Sequence, residues 1–293
     1  MTILVTGGTG FIGRALVRAL AAHHEVVCVV RDPARVMHAE RVTVVQADFS
    51  GLPSFKDFPH RADAIVHLAQ ANGSFPESAN ELFAVNLATT QWLAAYARRA
   101  GVSHVVYTST GNVYAHSLKP IKETDPIHPD SFFAWTKYRA ERLLEWYQHD
   151  FHIGILRLFT PYGPGQENRL IPKLIQAVRD GRPVVVTNDG QPHVNPIFID
   201  DVVWFIEQVL LRSGHDVINV GGPQAAGMDT IAALIGEMLG KPPVFERRTE
   251  RLQRNLIGDT TNMRSCVAMR EWVGLREGLR RTVESSEPQR IGA

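Results

Sequence analysis

The stretch "TILVTGGTGFIG", residues 2–13, decides the fold. Its first five residues are mostly apolar or β-branched and read as a strand buried on both faces. Gly7, Gly10 and Gly13 follow at once, and "FIGRALVRALAAH" then carries helical periodicity. Glycine suits a backbone that bends sharply and that a phosphate must approach closely. The start of a helix, here Phe11 and Ile12, presents free N–H groups and a partial positive charge. A strand, a GxxGxxG turn and a helix in that order predict a site for the phosphates of a dinucleotide.

Outward from this turn, short apolar runs alternate with helical stretches. "EVVCVV" (25–30), "VTVVQA" (42–47), "AIVHLA" (64–69), "HVVYTS" (104–109) and "IGILRL" (153–158) read as strands. Helices are expected at about 79–100 and 131–149. Such spacing argues an α/β fold, a doubly wound parallel sheet with helices on both faces. Beyond "PYGPGQ" (161–166) the pattern changes: a helix at about 169–180, "PVVV" (183–186), a turn at "NDGQP" (188–192), and "VINVGG" (217–222) as a returning strand. A helix at 228–239 stops at Gly240, with Pro242 and Pro243 beyond, and the last eight residues read as frayed. The expected division is a Rossmann nucleotide-binding domain of residues 1–161 plus about 195–222. The expected companion is a smaller substrate-binding lobe of about 162–194 plus 223–285, with a cleft between the two.

Composition narrows the function. The chain has 293 residues, 44% hydrophobic and 21% charged, with a net charge of +1, so no bulk field argues for nucleic acid or an anionic membrane. No apolar run approaches the ~20 residues of a membrane span, and "MTILVTGG" begins directly with a strand. Cys28 and Cys266 cannot make a disulfide framework, the twelve histidines show no ligand spacing, and no metal is expected. A small-molecule enzyme of the cytoplasm fits these bounds.

The GxxGxxG spacing resembles that of the short-chain dehydrogenase/reductase superfamily, and the length and second half resemble its extended branch, the nucleotide-sugar epimerases and dehydratases. The resemblance covers essentially the whole chain. "QADFSG" (46–51), "VHLAQAN" (66–72), "FAVNLATT" (83–90), "VYTSTGNVYA" (106–115), "LRLFTPYGPGQ" (156–166), "NPIFIDDV" (195–202) and "NVGGP" (219–223) match its landmarks. It implies cofactor contacts from Asp48 and Phe49, from Leu68, Ala69 and Gln70, and from Thr108, Phe159 and Pro161, with Asn86 as a structural asparagine. It also implies a homodimer through the two helices at about 79–100 and 131–149, where Leu82, Trp92, Trp135 and Trp146 fit a four-helix bundle or, equally, burial within the subunit.

For the cofactor, an acidic residue ending the second strand would accept bonds from the adenine ribose. Here the strand runs "VVCVVRDPAR", with Val30 at about that place, then Arg31, Asp32 and Arg35. Arginine offers a bidentate partner to a 2′-phosphate. NADP is therefore expected, with NAD as the alternative because Asp32 can pair with Arg31 or approach the ribose itself.

In the resembled family a tyrosine four residues before a lysine is the general acid/base, the lysine depresses its pKa and holds the nicotinamide ribose, and a Ser/Thr hydroxyl orients the substrate oxygen. Thr110 and Lys137 match the last two. "SFFAWTK" (131–137) sets the register, and Phe133 stands where the tyrosine is expected. Phenylalanine can neither donate nor accept that proton. Four readings stay open: a recruited acid, with Tyr114 the first candidate, then Tyr138, Tyr162 and His193; an altered reaction; a catalytically inactive nucleotide-binding or regulatory protein; or an engineered Tyr→Phe substitution that traps substrate.

The substrate side is expected to draw on Asn72, Thr110, Asn112, Thr160, Asn168, Arg169 and His193. Thr160 stands where many members carry asparagine, and Val194 where many carry a phosphate-binding arginine. Arg247, Arg248, Arg251 and Arg254 are basic residues that compensate or form a solvated helix face. Asp200 and Asp201 begin a helix and are expected to cap its N–H groups. The expected substrate is a nucleotide sugar or a related keto or hydroxy compound.

Overall fold

A computed structural model describes residues 1–37, 39–51, 55–115, 117–187, 192–249, 255–268 and 270–286. The turn at 188–191, Arg251, Arg254 and the tail 287–293 lie outside the described residues.

The strands are β1 (Thr2–Thr6), β2 (Glu25–Val30), β3 (Val42–Gln46), β4 (Ala64–His67), β5 (His104–Thr110), β6 (His152–Leu158), β7 (Pro161–Tyr162), β8 (Val184–Thr187), β9 (His193–Val194), β10 (Ile197–Phe198), β11 (His215–Val220), β12 (Ala226–Gly227) and β13 (Phe245–Arg248). The helices are α1 (Phe11–Leu20), α2 (Ala79–Phe83), α3 (Thr89–Ala100), α4 (Phe132–Leu144), α5 (Leu170–Asp180), α6 (Ile199–Val209), α7 (Met228–Leu239), α8 (Thr261–Ser265) and α9 (Leu275–Ser285).

Seven strands form one sheet in the order β11-β6-β5-β4-β1-β2-β3, and the pairings from β3 to β6 are parallel. Strand order reverses between β1 and β4, the doubly wound arrangement whose ligand crevice lies outside the carboxyl ends of the strands at that point. The central strands are apolar because both faces are covered: Ile3, Leu4 and Val5 on β1 and Ile65 and Val66 on β4 are all fully buried. The expected strands are present with ends shifted by one to three residues, while the helix expected at about 79–100 is divided into α2 and α3 by a π-helical turn at Ala84–Ala88, and the one expected at about 131–149 ends as an α-helix at Leu144, with a 3-10 turn, Glu145–Tyr147, after it.

Two compact units divide the chain. The first comprises Met1–Ala115, Glu123–Leu158 and Val203–Ile218; the second comprises His116–Lys122, Phe159–Val202 and Asn219–Ala293. Residues 159–161, 195–202 and 219–222, expected with the nucleotide domain, group with the second unit.

Three expectations are corrected or refined. Leu82 is fully buried within the first unit, so it is not a surface position of a bundle, whereas Trp146 is 86% exposed. Arg247 and Arg248 lie on strand β13, paired with β8, and not on a helix face. Asp200 and Asp201 lie in the first turn of α6, as expected, but the bonds of Asp201 run to a distant segment: it is fully buried and accepts from the Val273 N–H (2.9 Å) and from Arg270 (2.8 Å). Asp200 meets Arg281 at 2.7 Å, so both carboxylates fasten the C-terminal segment within the second unit. Among the described residues no helix is long and apolar enough to cross a membrane.

Candidate functional site

The glycine turn is built as close contact requires. Gly7 has φ +71°, and a Cβ there would lie 2.8 Å from the Ala69 nitrogen, so β1 and the segment after β4 touch through this residue. A Cβ on Gly13 would lie 2.2 Å from the Gly7 carbonyl oxygen. Gly10 caps α1 without any side-chain hydrogen bond, and no acidic residue sits in the first turn. The first N–H groups of α1, at Phe11, Ile12 and Gly13, thus have no side-chain acceptor, which fits an anionic phosphate.

At the end of β2, Val30 is buried while Arg31 is 70% exposed in its side chain and reaches Glu81 only at 3.9 Å. Asp32 is engaged locally: its Oδ1 accepts from the Ala34 N–H at 3.1 Å and caps the turn Pro33–Arg35. Asp48 is exposed and accepts from the Ser50 N–H, which holds its carboxyl below the ordinary range, and Phe49 beside it is buried. Leu68 is buried, Gln70 and Asn72 are exposed, and the Gln70 amide donates to the Asn72 side chain at 3.2 Å.

Asn86 sits in a π-helical turn, Ala84–Ala88, that joins α2 to α3. Its Oδ1 accepts from the Ala71 N–H (2.8 Å), and its Nδ2 donates to Ala71 O (3.3 Å) and to the Thr136 hydroxyl (3.1 Å). Thr136 in turn donates to the Phe133 carbonyl at 2.8 Å. Asn86 therefore ties the segment after β4 to α4, the helix that carries Phe133 and Lys137.

Thr110 ends β5 half-buried, and its Oγ1 accepts from the Asn112 N–H at 3.2 Å, while Asn112 itself is exposed. Thr108 is buried and donates to the His67 carbonyl at 3.3 Å. Phe133, half-buried, and Lys137 lie one helical turn apart on α4, which begins at the Ser131 cap. Lys137 is fully buried with no hydrogen-bond partner for Nζ, which lies 4.2 Å from the centre of the Tyr107 ring. Burial pulls its pKa down to about 7, with the Glu141 carboxylate opposing. An orphaned buried ammonium beside the glycine turn's unit is what a hydroxyl-rich ribose would complement.

Glu141, one turn after Lys137, is otherwise engaged. Arg157 Nη2 meets its Oε2 at 2.6 Å, Arg157 Nε reaches both oxygens at 3.2 Å, and the Ser109 hydroxyl donates to Oε1. Arg157 also donates to the Tyr114 hydroxyl at 2.6 Å. That removes Tyr114 as a ready substitute acid, since it is buried, bonded to a cation and pushed up to about 12 by burial. Tyr162 belongs to the second unit, is buried and donates to Leu275 O at 3.3 Å. Tyr138 is half-exposed beside Lys137 in sequence, one residue round the helix from it.

The first unit therefore assembles Gly7, Gly10, Gly13, Ala69, Asn86, Thr110, Phe133 and Lys137 around the carboxyl ends of β1, β4 and β5. Phe159, Thr160, Pro161, Asn168, Arg169 and His193 belong to the second unit. There Phe159 is fully buried and its N–H donates to Val220 O at 2.8 Å. Thr160 and Asn168 take φ of 51° and 55°, and for the β-branched threonine that left-handed backbone is strained. Arg169 is exposed at the start of α5, and the His193 N–H donates to Asn255 at 2.9 Å. Val194 is buried and paired with Ala226, so no side chain there offers charge to a phosphate.

Residues that sequence reasoning missed are His67, Thr90, Tyr107, Ser109, Glu141 and Arg157. His67 carried a readable signal, since a histidine within a strand buried on both faces must satisfy two ring nitrogens internally.

The sheet order, the glycine turn and the β5–α4 pair define a Rossmann-type α/β enzyme fold. The sequence profile of the NAD dependent epimerase/dehydratase family matches residues 3–221. Among relatives, the UDP-glucose 4-epimerase of Mycolicibacterium smegmatis is 31% identical over 97% of this chain and 98% of its own. The dTDP-glucose 4,6-dehydratase of Streptomyces griseus is 29% identical over 96% and 92%. The solved structure of MoeE5 in complex with UDP-glucose and NAD superposes with a TM-score of 0.86 at 30% identity, covering 98% of each chain. The chain belongs to the NAD dependent epimerase/dehydratase family of the extended short-chain dehydrogenase/reductase superfamily, and the relatives named above are enzymes.

Proposed function

We propose that this chain binds a nicotinamide dinucleotide in its first unit and acts on a nucleotide sugar or a closely related keto or hydroxy compound. The observation that carries the reading is the arrangement on β5 and α4: Thr110 half-buried at the end of β5, Lys137 buried on α4 with no hydrogen-bond partner for Nζ among the described residues, and Phe133 one helical turn before it, in the register of a proton donor. A bound dinucleotide supplies acceptance and return of hydride. The chain's own residues do the rest. Gly7, Gly10 and the start of α1 hold the phosphates, Lys137 holds the ribose, Thr110 orients the reacting oxygen, and Asn86 fixes Ala71, the residue after the segment Leu68–Gln70, against α4. Asp48 and Phe49 are the proposed adenine contacts. The second unit is the proposed substrate lobe, through Thr160, Asn168, Arg169 and His193.

Phe133 supplies no proton, so acid/base transfer is the step this chain lacks. Restoring the hydroxyl by Phe133→Tyr should raise hydride transfer by ~10²–10⁴. The readout is nicotinamide absorbance with UDP-glucose, UDP-glucuronic acid and dTDP-4-keto-6-deoxyglucose as substrates. No gain with any of them would leave the second reading, a dinucleotide-binding protein without catalysis, in its place.

At the adenosine end we favour NADP over NAD, because Asp32 is engaged as a cap and Arg31 is exposed, with its ion pair to Glu81 long at 3.9 Å. The NAD seen with MoeE5 makes NAD the alternative. Calorimetric titration with both decides it, and tighter binding of NAD by about tenfold, ~1.4 kcal/mol, would reverse the preference. A cytoplasmic homodimer through α2–α3 and α4 completes the reading. Exposed Trp146 and Phe83 support it, and light scattering showing a monomer at micromolar concentration would remove it.

A further inference from the structure

His67 is fully enclosed at the end of β4, opposite Thr6 on one side and Tyr107 on the other. Its Nδ1 lies 2.7 Å from the Thr6 hydroxyl and its Nε2 lies 3.1 Å from the Thr90 hydroxyl. The protons on this path can be assigned. Thr90 has one hydroxyl proton and donates it to the Asn86 carbonyl at 3.1 Å. Nε2 must then carry the proton that bridges it to Thr90, which leaves Nδ1 bare to accept from Thr6. Thr6 in turn accepts from the Ala69 N–H at 3.1 Å. Burial and then the charge of Lys137 hold the imidazole's pKa down to about 3, in keeping with a neutral ring.

A single directed chain results, running from the Ala69 N–H through Thr6, His67 and Thr90 to the Asn86 carbonyl. Asn86 continues it through its own side chain to Thr136 and the Phe133 carbonyl. The Asn86 carbonyl lies in the π-helical turn, where Thr89 also donates to Ala84 O at 3.0 Å. Such a turn is a strained local departure that recurs at functional positions. At the other end, Thr6 immediately precedes Gly7, which abuts Ala69 with no room for a methyl group.

We propose that His67 is a positioning residue: in its neutral Nε2–H form it locks the glycine turn after β1 and the segment after β4 into one arrangement and ties both to α4, which carries Phe133 and Lys137. The proposal rests on the dinucleotide reading only for the identity of what is positioned. Both bonds at His67 and the Thr90 and Asn86 bonds beyond it are buried, so their loss leaves polar groups unsatisfied and cutting the chain at His67 should be felt at both ends.

The test combines two variants with three readouts. In the unaltered chain, imidazole ¹⁵N shifts should show His67 protonated on Nε2 and neutral from pH 5 to 8. A proton on Nδ1, or an imidazolium at pH 6, would overturn the proposal. In His67→Leu the Ala69 and Ala71 amides should exchange about tenfold faster or more, while those of Val184–Thr187 in the second unit stay unchanged; the affinity for NAD⁺ and NADPH should fall about tenfold or more. His67→Gln keeps a donor and an acceptor and should recover most of both losses. Equal exchange in His67→Leu and the unaltered chain would sink the idea. If the unaltered chain binds neither nucleotide, the dinucleotide reading fails, and the tautomer and exchange results still judge the positioning role.

Discussion

Arg157 and Lys137 are both buried cations of the first unit, and the Glu141 carboxylate acts on both, yet they are treated oppositely. Burial works against the charge of Arg157, but bidentate contact with Glu141 and the bond to Tyr114 more than offset it and hold its pKa above the ordinary value. Lys137 has no such partner, only the face of Tyr107, and burial prevails. Arg157 is therefore a finished structural ion pair, whereas Lys137 is a buried amine without a hydrogen-bond partner among the described residues, the feature behind its proposed role at the ribose. A planar fork suits a permanent carboxylate partner; a point charge with a titratable proton suits a site.

The largest way to break this comparison is Phe133→Tyr. A phenol one turn before Lys137 gives the ammonium a partner that it can also ionise, so the expected ~10²–10⁴ gain in hydride transfer comes with a rise in the Lys137 pKa. A gain without that rise would separate the two roles. Next is Arg157→Met, which leaves Glu141 buried and uncompensated. It should cost about 3–5 kcal/mol of stability in urea titration, and a loss below about 1 kcal/mol would show that Glu141 had found another partner.

Lys137→Met should go the other way, stabilising by about 1–4 kcal/mol at neutral pH, because a similar volume is kept and an unpaired charge is removed. The pH dependence has a definite sign. The unfolded lysine titrates near its ordinary value of 10.5 and the folded one near 7, so between these values the unfolded chain binds more protons. Stability from this residue therefore rises with pH across that window, by up to ~1.4 kcal/mol per unit, and Lys137→Met should flatten that part of the curve. A curve unchanged by the substitution would contradict a depressed lysine. The smallest effect is expected at Thr160. Thr160→Gly relieves a left-handed backbone at a β-branched residue and should stabilise by at most about 1 kcal/mol, measured as a shift in the unfolding midpoint. A net loss there would mean that the threonine side chain contributes more than its backbone costs.

The contrast also marks what a sequence reveals. The strands, the glycine turn and the Phe133–Lys137 register were legible because each is local: short apolar, β-branched runs for strands, glycine spacing for the turn, four-residue spacing for a helix face. The Glu141–Arg157 pair was not, since the two are sixteen residues apart and on different elements. The π-helical turn at Asn86 was read as plain helix, because its inserted residue leaves no mark in composition. Asp200 and Asp201 were legible as the start of α6, because that is local information, whereas their partners Arg270 and Arg281 were not. For Leu82 the sequence left a bundle face and burial within the subunit equally open, because burial is set by the elements packed against a helix and not by the helix alone.

The most direct measurement is the titration of Lys137 itself, by ¹³Cε-lysine resonance in the free chain and again with NADPH or NAD⁺ bound. A pKa near 7 in the free chain that moves upward when nucleotide hydroxyls partner the ammonium is the result predicted. An ordinary pKa near that of a solvated lysine, unmoved by either nucleotide, would contradict the account of Lys137 as the waiting half of a cofactor site.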